Sequence, residues 1–273
     1  MLNLDQVTLF CVDNRTPDLS IWAMQQCLQK AYFNDAILVT DTTKIMNIPD
    51  NIRIIEAPPI KSIEDYSTYL QSDLSPHIQG THMLVMQWDS FIIHPQLWTD
   101  HFLEYDYIGA PWPHHPETPV GNGGFSLRSK KLFAALQNPL YQKSHPEDQS
   151  ICIFNKDVLE GLKIRIAPKE IATQFAFERD YKTAFGFHGL FNFAHVLNTE
   201  ELKKIIELIP AKLLGKIDTY DLVDELCKKK QFHLVNSLLH KSSPQGKMWK
   251  RHMKCKLQSI YHRAYNALVT SNM

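Results

Sequence analysis

The chain has 273 residues, of which 44% are hydrophobic and 21% are charged, and its 29 Lys and Arg offset 29 Asp and Glu. These proportions are ordinary for a globular protein and exclude a disordered or collagen-like chain. No apolar run reaches the roughly 18 residues of a membrane-spanning helix, and the N-terminus lacks the basic start of a signal peptide. The five cysteines form no C-x-x-C pair, which predicts neither a zinc site nor a disulfide framework. We expect a cytoplasmic protein.

The apolar patterns predict an alternation of strands and helices along the first two thirds of the chain. In order, they predict a strand at 7–12, a helix at 19–30, strands at 36–40 and 52–55, a helix at 62–74 and a doubly buried strand at 83–87. There follow a short helix at 97–103, a strand at 107–110, a Pro- and His-rich loop at 111–116, a glycine-rich segment at 120–128 ending as a strand, and a helix at 129–136. Last come a helix from 144 with Ile151, Phe154 and Val158 on its apolar face, a strand at 162–167 and a connector at 171–178. This order predicts an α/β fold with a largely parallel sheet.

The composition changes near residue 198. Asn198 and Glu201 form a capping pair for a helix that Pro210 ends, and the remainder is helical and increasingly basic. We therefore predict an α/β domain at 1–197 and a helical, basic extension at 198–273.

Four groups of residues could carry chemistry, and each also has an ordinary structural explanation. Asp89 follows the buried strand at 83–87, where ligands gather in open α/β sheets, but it could merely open a turn. The glycines of 121–128 could approach a ligand or only make a turn. Glu147 and Asp148 could be catalytic, or Glu147 could form a capping box with Ser144. His188 could hold a metal or be a core histidine.

Taken together, these groups resemble the motifs of a GT-A type nucleotide-sugar glycosyltransferase. The resemblance runs from about residue 7 to 189, and it is closest to a poorly characterised bacterial glycosyltransferase-like family. The motifs are Gln87-Trp88-Asp89-Ser90, Gly121-Asn-Gly-Gly-Phe-Ser-Leu-Arg128, Glu147-Asp148 and Phe185-Gly-Phe-His-Gly189. More distantly, the chain is similar to inverting β-1,3- and β-1,4-glycosyltransferases. The resemblance implies a Rossmann-like, mixed and mostly parallel sheet flanked by helices.

The resemblance also implies a chemistry for these positions. Asp148 would be the general base on the acceptor hydroxyl, and Glu147 would hold the acceptor or orient Asp148. Asp89 and His188 would ligate Mn²⁺, or else Mg²⁺, which would stabilise the departing diphosphate. Gln87 replaces the first acid of the related D-x-D motif, which puts the metal dependence in question.

Further residues are candidates for binding the donor or the acceptor. Asp13, Arg15 and Asp41 are nucleotide candidates by position alone, because they end early strands. Trp112 could stack on an acceptor sugar or be a buried aromatic residue. The remaining donor- or acceptor-binding candidates are Gln87, Asn122, Gly123, Gly124 and Arg128. The expected partners are a nucleotide-sugar donor, first of all a UDP-sugar, and a glycan or lipid-linked acceptor.

Two other functions use the same features. A carbohydrate- or nucleotide-binding protein without turnover would tolerate Gln87 in place of an acid. A nucleotidyltransferase would need a Gly- and Lys/Arg-rich phosphate loop after the first strand, which 11–15 does not supply.

The C-terminal region is strongly basic. From residue 226 onward there are ten Lys and Arg and no Asp or Glu. Between 248 and 268, apolar residues recur at spacings of three and four, which predicts one apolar helix face. Such a helix could lie on an anionic membrane, on its inner face if the protein is cytoplasmic, or its apolar face could pack on the first domain while its charges are solvated. We expect no nucleic-acid partner, because no aromatic-interleaved motif accompanies the charge.

Overall fold

The computed structural model describes residues 1–113, 115, 118 and 120–270, the last ten of them by their backbone alone. The chain divides into two compact units, Met1–His188 and Gly189–Met273. The domain boundary predicted between 197 and 198 falls shortly after this division and stays a prediction.

The first unit is built on a six-stranded sheet with the spatial order β3-β2-β1-β4-β7-β6. Neighbouring strands from β3 to β4 run parallel, and β7 is antiparallel to both β4 and β6. The strands are β1 Leu2–Val12, β2 Ala31–Thr40, β3 Arg53–Glu56, β4 His82–Met86, β5 Ser90–Ile92, β6 Tyr107–Gly109, β7 Phe125–Ser129, β8 Ala176–Phe177 and β9 Gly186–His188. The predicted mixed, mostly parallel α/β sheet is confirmed.

Helices lie on both faces of this sheet, so β4 and the second half of β1 are buried. Every residue of β4 is buried. Met86 faces one side, where its sulfur lies 4.0 Å from Cys27 Sγ, while Val85 belongs to the core cluster on the other side. The helices of this unit are α1 Pro17–Leu28, α2 Ile63–Leu70, α3 Lys130–Ala135, α4 Glu147–Gln149, α5 Lys156–Gly161 and α6 Lys169–Phe175.

The strand order creates a topological switch point. From β1 the chain proceeds to β2 and β3 on one side, and then returns to place β4 on the other side of β1. Ligands of open α/β sheets bind outside the carboxyl ends of strands at such a point. Here the carboxyl ends are residues 12–15 after β1 and 87–89 after β4.

A second, smaller sheet has the order β5-β9-β8. Ser90 of β5 pairs with His188 of antiparallel β9. This pairing brings the late histidine beside the turn that contains Asp89, although 99 residues separate the two along the chain.

Several predicted elements are wrong. The segment at 162–167 makes a single bridge, from Ile166 to Tyr107, because its partner β6 is only three residues long. The helix predicted from 144 begins at Glu147 and is interrupted by a π-helical turn, Ser150–Phe154, where the Asn155 side chain donates to the Ser150 carbonyl oxygen. Phe154 is exposed rather than on an apolar face. The connector at 171–178 is mostly α6, and the helix at 97–103 is a pair of 3₁₀ turns.

The second unit is helical. Its helices are α7 Phe193–Val196, α8 Thr199–Leu208, α9 Ile217–Lys228, α10 Phe232–Lys241 and α11 Trp249–Thr270. Asn198 and Glu201 form the predicted capping box at the start of α8. Among the described residues, no helix has the length and apolarity needed to cross a membrane.

Candidate active site

The Glu147-Asp148 pair begins α4, and its first member is held inside the protein. Arg128 Nη2 donates to Glu147 Oε1 at 3.2 Å, and the arginine side chain is 0% exposed. Ser67 Oγ lies 3.3 Å from Glu147 Oε2. The alternative capping box with Ser144 does not form, because Pro146 is the N-cap and Ser144 Oγ has no hydrogen-bond partner among the described residues.

Asp148 is placed differently from its neighbour. Its Oδ2 accepts from the Gly123 backbone N–H at 3.2 Å and its Oδ1 from the Gln149 N–H at 2.8 Å. Burial, and then the adjacent charge of Glu147, raise the pKa of Asp148 to about 6. A carboxyl group with this pKa is largely ionised at neutral pH and still basic enough to take a proton, which suits a general base.

The glycine loop packs against the acid pair and His188 through successive residues. A Cβ atom on Gly123 would lie 2.7 Å from Glu147 Oε1 and 3.2 Å from Asp148 Cβ. A Cβ on Gly124 would collide with the His188 imidazole. Both positions require glycine because neighbouring groups occupy the space of a side chain. The loop therefore brings three of the four sequence motifs into contact.

His188 and Asp89 form the other part of the site. His188 Nε2 lies 3.3 Å from Gln87 Oε1 and 3.6 Å from Asp89 Oδ1. On the opposite side of the ring, Nδ1 lies 3.2 Å from Glu178 Oε1. A carboxylate at one ring nitrogen fixes the orientation and tautomer of a histidine that binds a metal through the other.

The fit of this pair to a divalent cation follows from its donor set. Among the described residues, no group of three or more His, Cys, Asp or Glu side chains is arranged to hold a metal ion. Asp89 Oδ1 and His188 Nε2 nevertheless converge, and a cation with one or two protein ligands can take the others from substrate phosphates and water. The pair fits a cation that arrives with a diphosphate better than a permanently bound one.

Gln87 connects this pair to a cavity. Its Nε2 donates to the Tyr66 hydroxyl at 3.1 Å, and its backbone N–H donates to the Gly124 carbonyl oxygen at 3.0 Å. The amide at the first position of the motif is therefore held between Tyr66 and His188.

The cavity lies at the switch point of the sheet and has a volume of about 200 Å³, space for part of a nucleotide-sugar. Its lining combines apolar side chains with two cations, Arg15 and Lys61. Asn14 Oδ1 also belongs to it, and this buried oxygen accepts no hydrogen bond from the described residues. The lining is Val12, Asp13, Asn14, Arg15, Ile60, Lys61, Ser62, Ile63, Tyr66, Gln87 and Trp88.

The remaining predicted residues are distributed unevenly around this site. The Asp13 carboxylate accepts from the N–H and hydroxyl groups of Thr16, among other donors, and so organises the turn after β1. Asp41 is outside the cavity lining and caps a 3₁₀ turn, where the Thr43 hydroxyl lowers the pKa of its carboxyl group. Trp112 is buried against Gly121, and Asn122 accepts from the Gly124 N–H.

Several residues of the site were not predicted from the sequence, among them Asn14 in the cavity lining. Tyr66 and Ser67 sit on α2 and contact Gln87 and Glu147, respectively; Lys61 precedes α2, and Glu178 follows β8. The Ser-x-x-Asp spacing of 62–65, a capping box in the structure, could have located the start of α2 and hence Lys61. Nothing local in the sequence marks Glu178, because its partner is ten residues away in a different strand.

Two solved structures are distantly similar to this chain. The structure of the bifunctional IspDF from Campylobacter jejuni has 11% sequence identity and a TM-score of 0.39, with 59% of this chain and 48% of that one covered. This chain thus spans about half of its length. A glycosyltransferase involved in the glycosylation of the major capsid of PBCV-1 has 10% identity and a TM-score of 0.43, with 74% and 99% covered.

No curated protein matches the sequence. A family model does, and its description is "Protein of unknown function (DUF5672)". It covers residues 50–189, just over half of the chain, which include the Gln87–Ser90 turn, the glycine loop, the acid pair and His188. On this evidence the chain belongs to the DUF5672 family.

Proposed function

We propose that this protein is a glycosyltransferase that moves a sugar from a nucleotide-sugar donor to a hydroxyl group of a glycan or glycolipid. One observation carries the proposal: Gly123 packs on the Glu147-Asp148 pair while Gly124 packs on His188, beside a cavity at the switch point of the sheet. An acid with a raised pKa, a polar pair suited to a diphosphate-bound cation and a nucleotide-sized opening are the parts that such a transfer needs.

Asp148 is the proposed general base. The acceptor hydroxyl attacks the anomeric carbon, its proton passes to Asp148, and the bond from that carbon to the diphosphate oxygen breaks. The nucleoside diphosphate leaves with the bonding electrons. Attack from the side opposite the leaving group inverts the anomeric centre. Glu147, fixed by Arg128, helps to keep the Asp148 pKa high by its charge.

The cavity is the proposed site for the nucleoside end of the donor. Ile60, Ile63 and Trp88 offer apolar contact to a base, and Asn14 Oδ1 offers an acceptor for a hydroxyl or an N–H group. Arg15 supplies positive charge for the phosphates, as does Lys61 on the same lining. A UDP-sugar is the first donor to test.

A Mn²⁺ or Mg²⁺ ion is the proposed cofactor, with Asp89 and His188 as its protein ligands. Bound there, it would stabilise the negative charge of the leaving diphosphate. Glu178 Oε1 supports this assignment, because it faces Nδ1 and leaves Nε2 directed towards Asp89.

A second candidate function is a nucleotide- or sugar-binding protein without turnover. Gln87 favours it, because an amide stands where related enzymes carry an acid, and that amide is already bonded to Tyr66 and His188. Such a protein would bind the nucleotide without consuming the donor.

The two functions are separated by measuring binding and turnover on the same preparation. Calorimetry with UDP, GDP and CDP, with Mn²⁺ or with EDTA, identifies the nucleotide. Release of that nucleoside diphosphate from its sugars, with a panel of glycan and glycolipid acceptors, measures transfer. We expect acceptor-dependent release. Tight nucleotide binding with no release under any condition would favour the binding protein, and absence of nucleotide binding would contradict the glycosyltransferase.

A further inference from the structure

Helix α11 packs against the other helices of the second unit through one narrow side, and this side is not the most apolar side of the helix. His252, Cys255 and Ser259 are buried on this side. His252 Nδ1 lies 3.1 Å from the Tyr220 hydroxyl on α9, and Ser259 Oγ donates to Asn236 Oδ1 on α10 at 2.7 Å. Hydrogen bonds and small side chains therefore form much of this contact.

The apolar residues of α11 lie on another side and are exposed. Trp249 is 60% exposed, Met253 38%, Leu257 63% and Ile260 61%. Their spacings of four, four and three place them in one stripe about 80° wide, which we call the α11 stripe. These four side chains are therefore not buried within the second unit. Ala264, which continues the predicted pattern, lies outside the residues whose side chains are described.

Lysines border the α11 stripe. At 100° per residue, Lys250 and Lys254 follow one edge of the stripe and Lys256 lies at the other. All three are exposed, as is Lys247 just before the helix. No Asp or Glu occurs anywhere after residue 225 to offset these charges.

We propose that the α11 stripe binds the surface of an anionic lipid bilayer. Apolar side chains bordered by lysines on both edges match a boundary at which acyl chains lie beneath phosphate groups, and tryptophan is favoured at that depth. A second copy of the chain fits less well, because two facing stripes would bring their lysines together without acids to neutralise them. The proposal goes beyond the proposed function and does not depend on it.

Vesicle binding by the full chain tests the proposal. We expect co-flotation with phosphatidylcholine vesicles that contain phosphatidylglycerol, weakening as salt is added, and little binding to phosphatidylcholine alone. Replacing the three bordering lysines (Lys250→Gln, Lys254→Gln, Lys256→Gln) should weaken binding about a hundredfold, since each lysine near the surface contributes about 1 kcal/mol. The Leu257→Glu, Ile260→Glu variant should abolish it. All five side chains are exposed, so we expect these variants to fold.

A charge-matched control separates the stripe from basicity in general. Lys228, Lys229 and Lys230 are equally exposed but lie at the end of α9, and replacing them with Gln should leave most of the binding. Equal losses in both lysine triples, or no binding to anionic vesicles, would overturn the proposal. So would dimerisation that the Leu257→Glu, Ile260→Glu variant abolishes, together with unchanged vesicle binding, because the stripe would then bind a second copy.

Discussion

The acid pair and the Asp89–His188 pair are two halves of one candidate site, and they are constructed differently. Glu147 is held by a fully buried arginine, and Asp148 accepts two backbone N–H groups. Asp89 and His188, in contrast, face each other at 3.6 Å, beyond hydrogen-bond range. The acid half is complete in the chain itself. A ligand bound to both Asp89 and His188 could draw these two side chains closer together.

This difference predicts which of the two pairs should tolerate substitution without loss of stability. In a buried pair held by an arginine, a substitution should change stability as well as chemistry. A looser pair should be sensitive mainly in the presence of its ligand. Substitutions in the two pairs test this difference.

The largest expected effect is on turnover. Asp148→Asn should lower sugar transfer by about 10²–10⁴-fold, because the amide cannot take a proton from the acceptor. Nucleotide affinity should remain nearly unchanged. The measurement is nucleoside diphosphate release in the presence of acceptor, after the donor has been identified. Asp157→Asn, an exposed aspartate in the first turn of α5, is the matched control and should transfer at the parental rate. Parental activity in Asp148→Asn would remove it as the base.

The next effect is on stability. Arg128→Met should lower the free energy of unfolding by about 3–5 kcal/mol, because it leaves the Glu147 carboxylate buried without its partner. Arg165→Met is the control, since its contact with Glu104 is 3.8 Å long and both side chains are more than half exposed. Urea unfolding of wild type, Arg128→Met and Arg165→Met measures the loss of unfolding free energy in each variant. A loss as small as that of the control would contradict a strong Arg128–Glu147 ion pair.

The raised pKa of Asp148 predicts a smaller, pH-dependent effect. The folded-state value is about 6 and the unfolded reference is 3.8. The folded state therefore holds the proton more tightly, and stability falls as pH rises between these values, by at most about 3 kcal/mol. Well above pH 6, the free energy of unfolding of wild type is lowered by this full amount, whereas that of Asp148→Asn is not. Between pH 4.5 and pH 7.5, the free energy of unfolding should thus fall more in wild type than in Asp148→Asn. Equal pH dependence would contradict the shift.

The smallest predicted effect concerns the other half of the site. Asp89→Ala and His188→Ala should each weaken Mn²⁺-supported nucleotide binding by about 10–100-fold and leave binding in EDTA unchanged. The double variant should be little weaker than either single one, because both depend on the same ion. Their unfolding free energies should change far less than that of Arg128→Met. Calorimetry with and without Mn²⁺ measures the binding, and equal wild-type affinity under both conditions would exclude the metal site.

The sequence by itself determined the elements whose signal is local. Period-2 and period-3.6 apolar patterns depend on neighbours within a few residues, so the parallel strands, α1, α3 and the capping box at Asn198 could be predicted. The motif residues of the site were also visible, because each motif is contiguous. The predictions for 144–158 and 162–167 were wrong because a side-chain hydrogen bond and a short partner strand, respectively, overrode the local pattern. The helix predicted at 97–103 was wrong because Thr99 caps a separate 3₁₀ turn within it.

Only the tertiary structure decided what these residues touch. The sequence pattern could not tell whether Glu147 caps a helix or pairs with Arg128, because the partners lie 19 residues apart and meet only after β7 and α4 are in place. Glu178 acquires its place beside His188 in the same way. The apolar spacing of α11 was equally compatible with a buried face and an exposed one. Periodicity records that a face is apolar, whereas burial depends on which surface the fold presents to it.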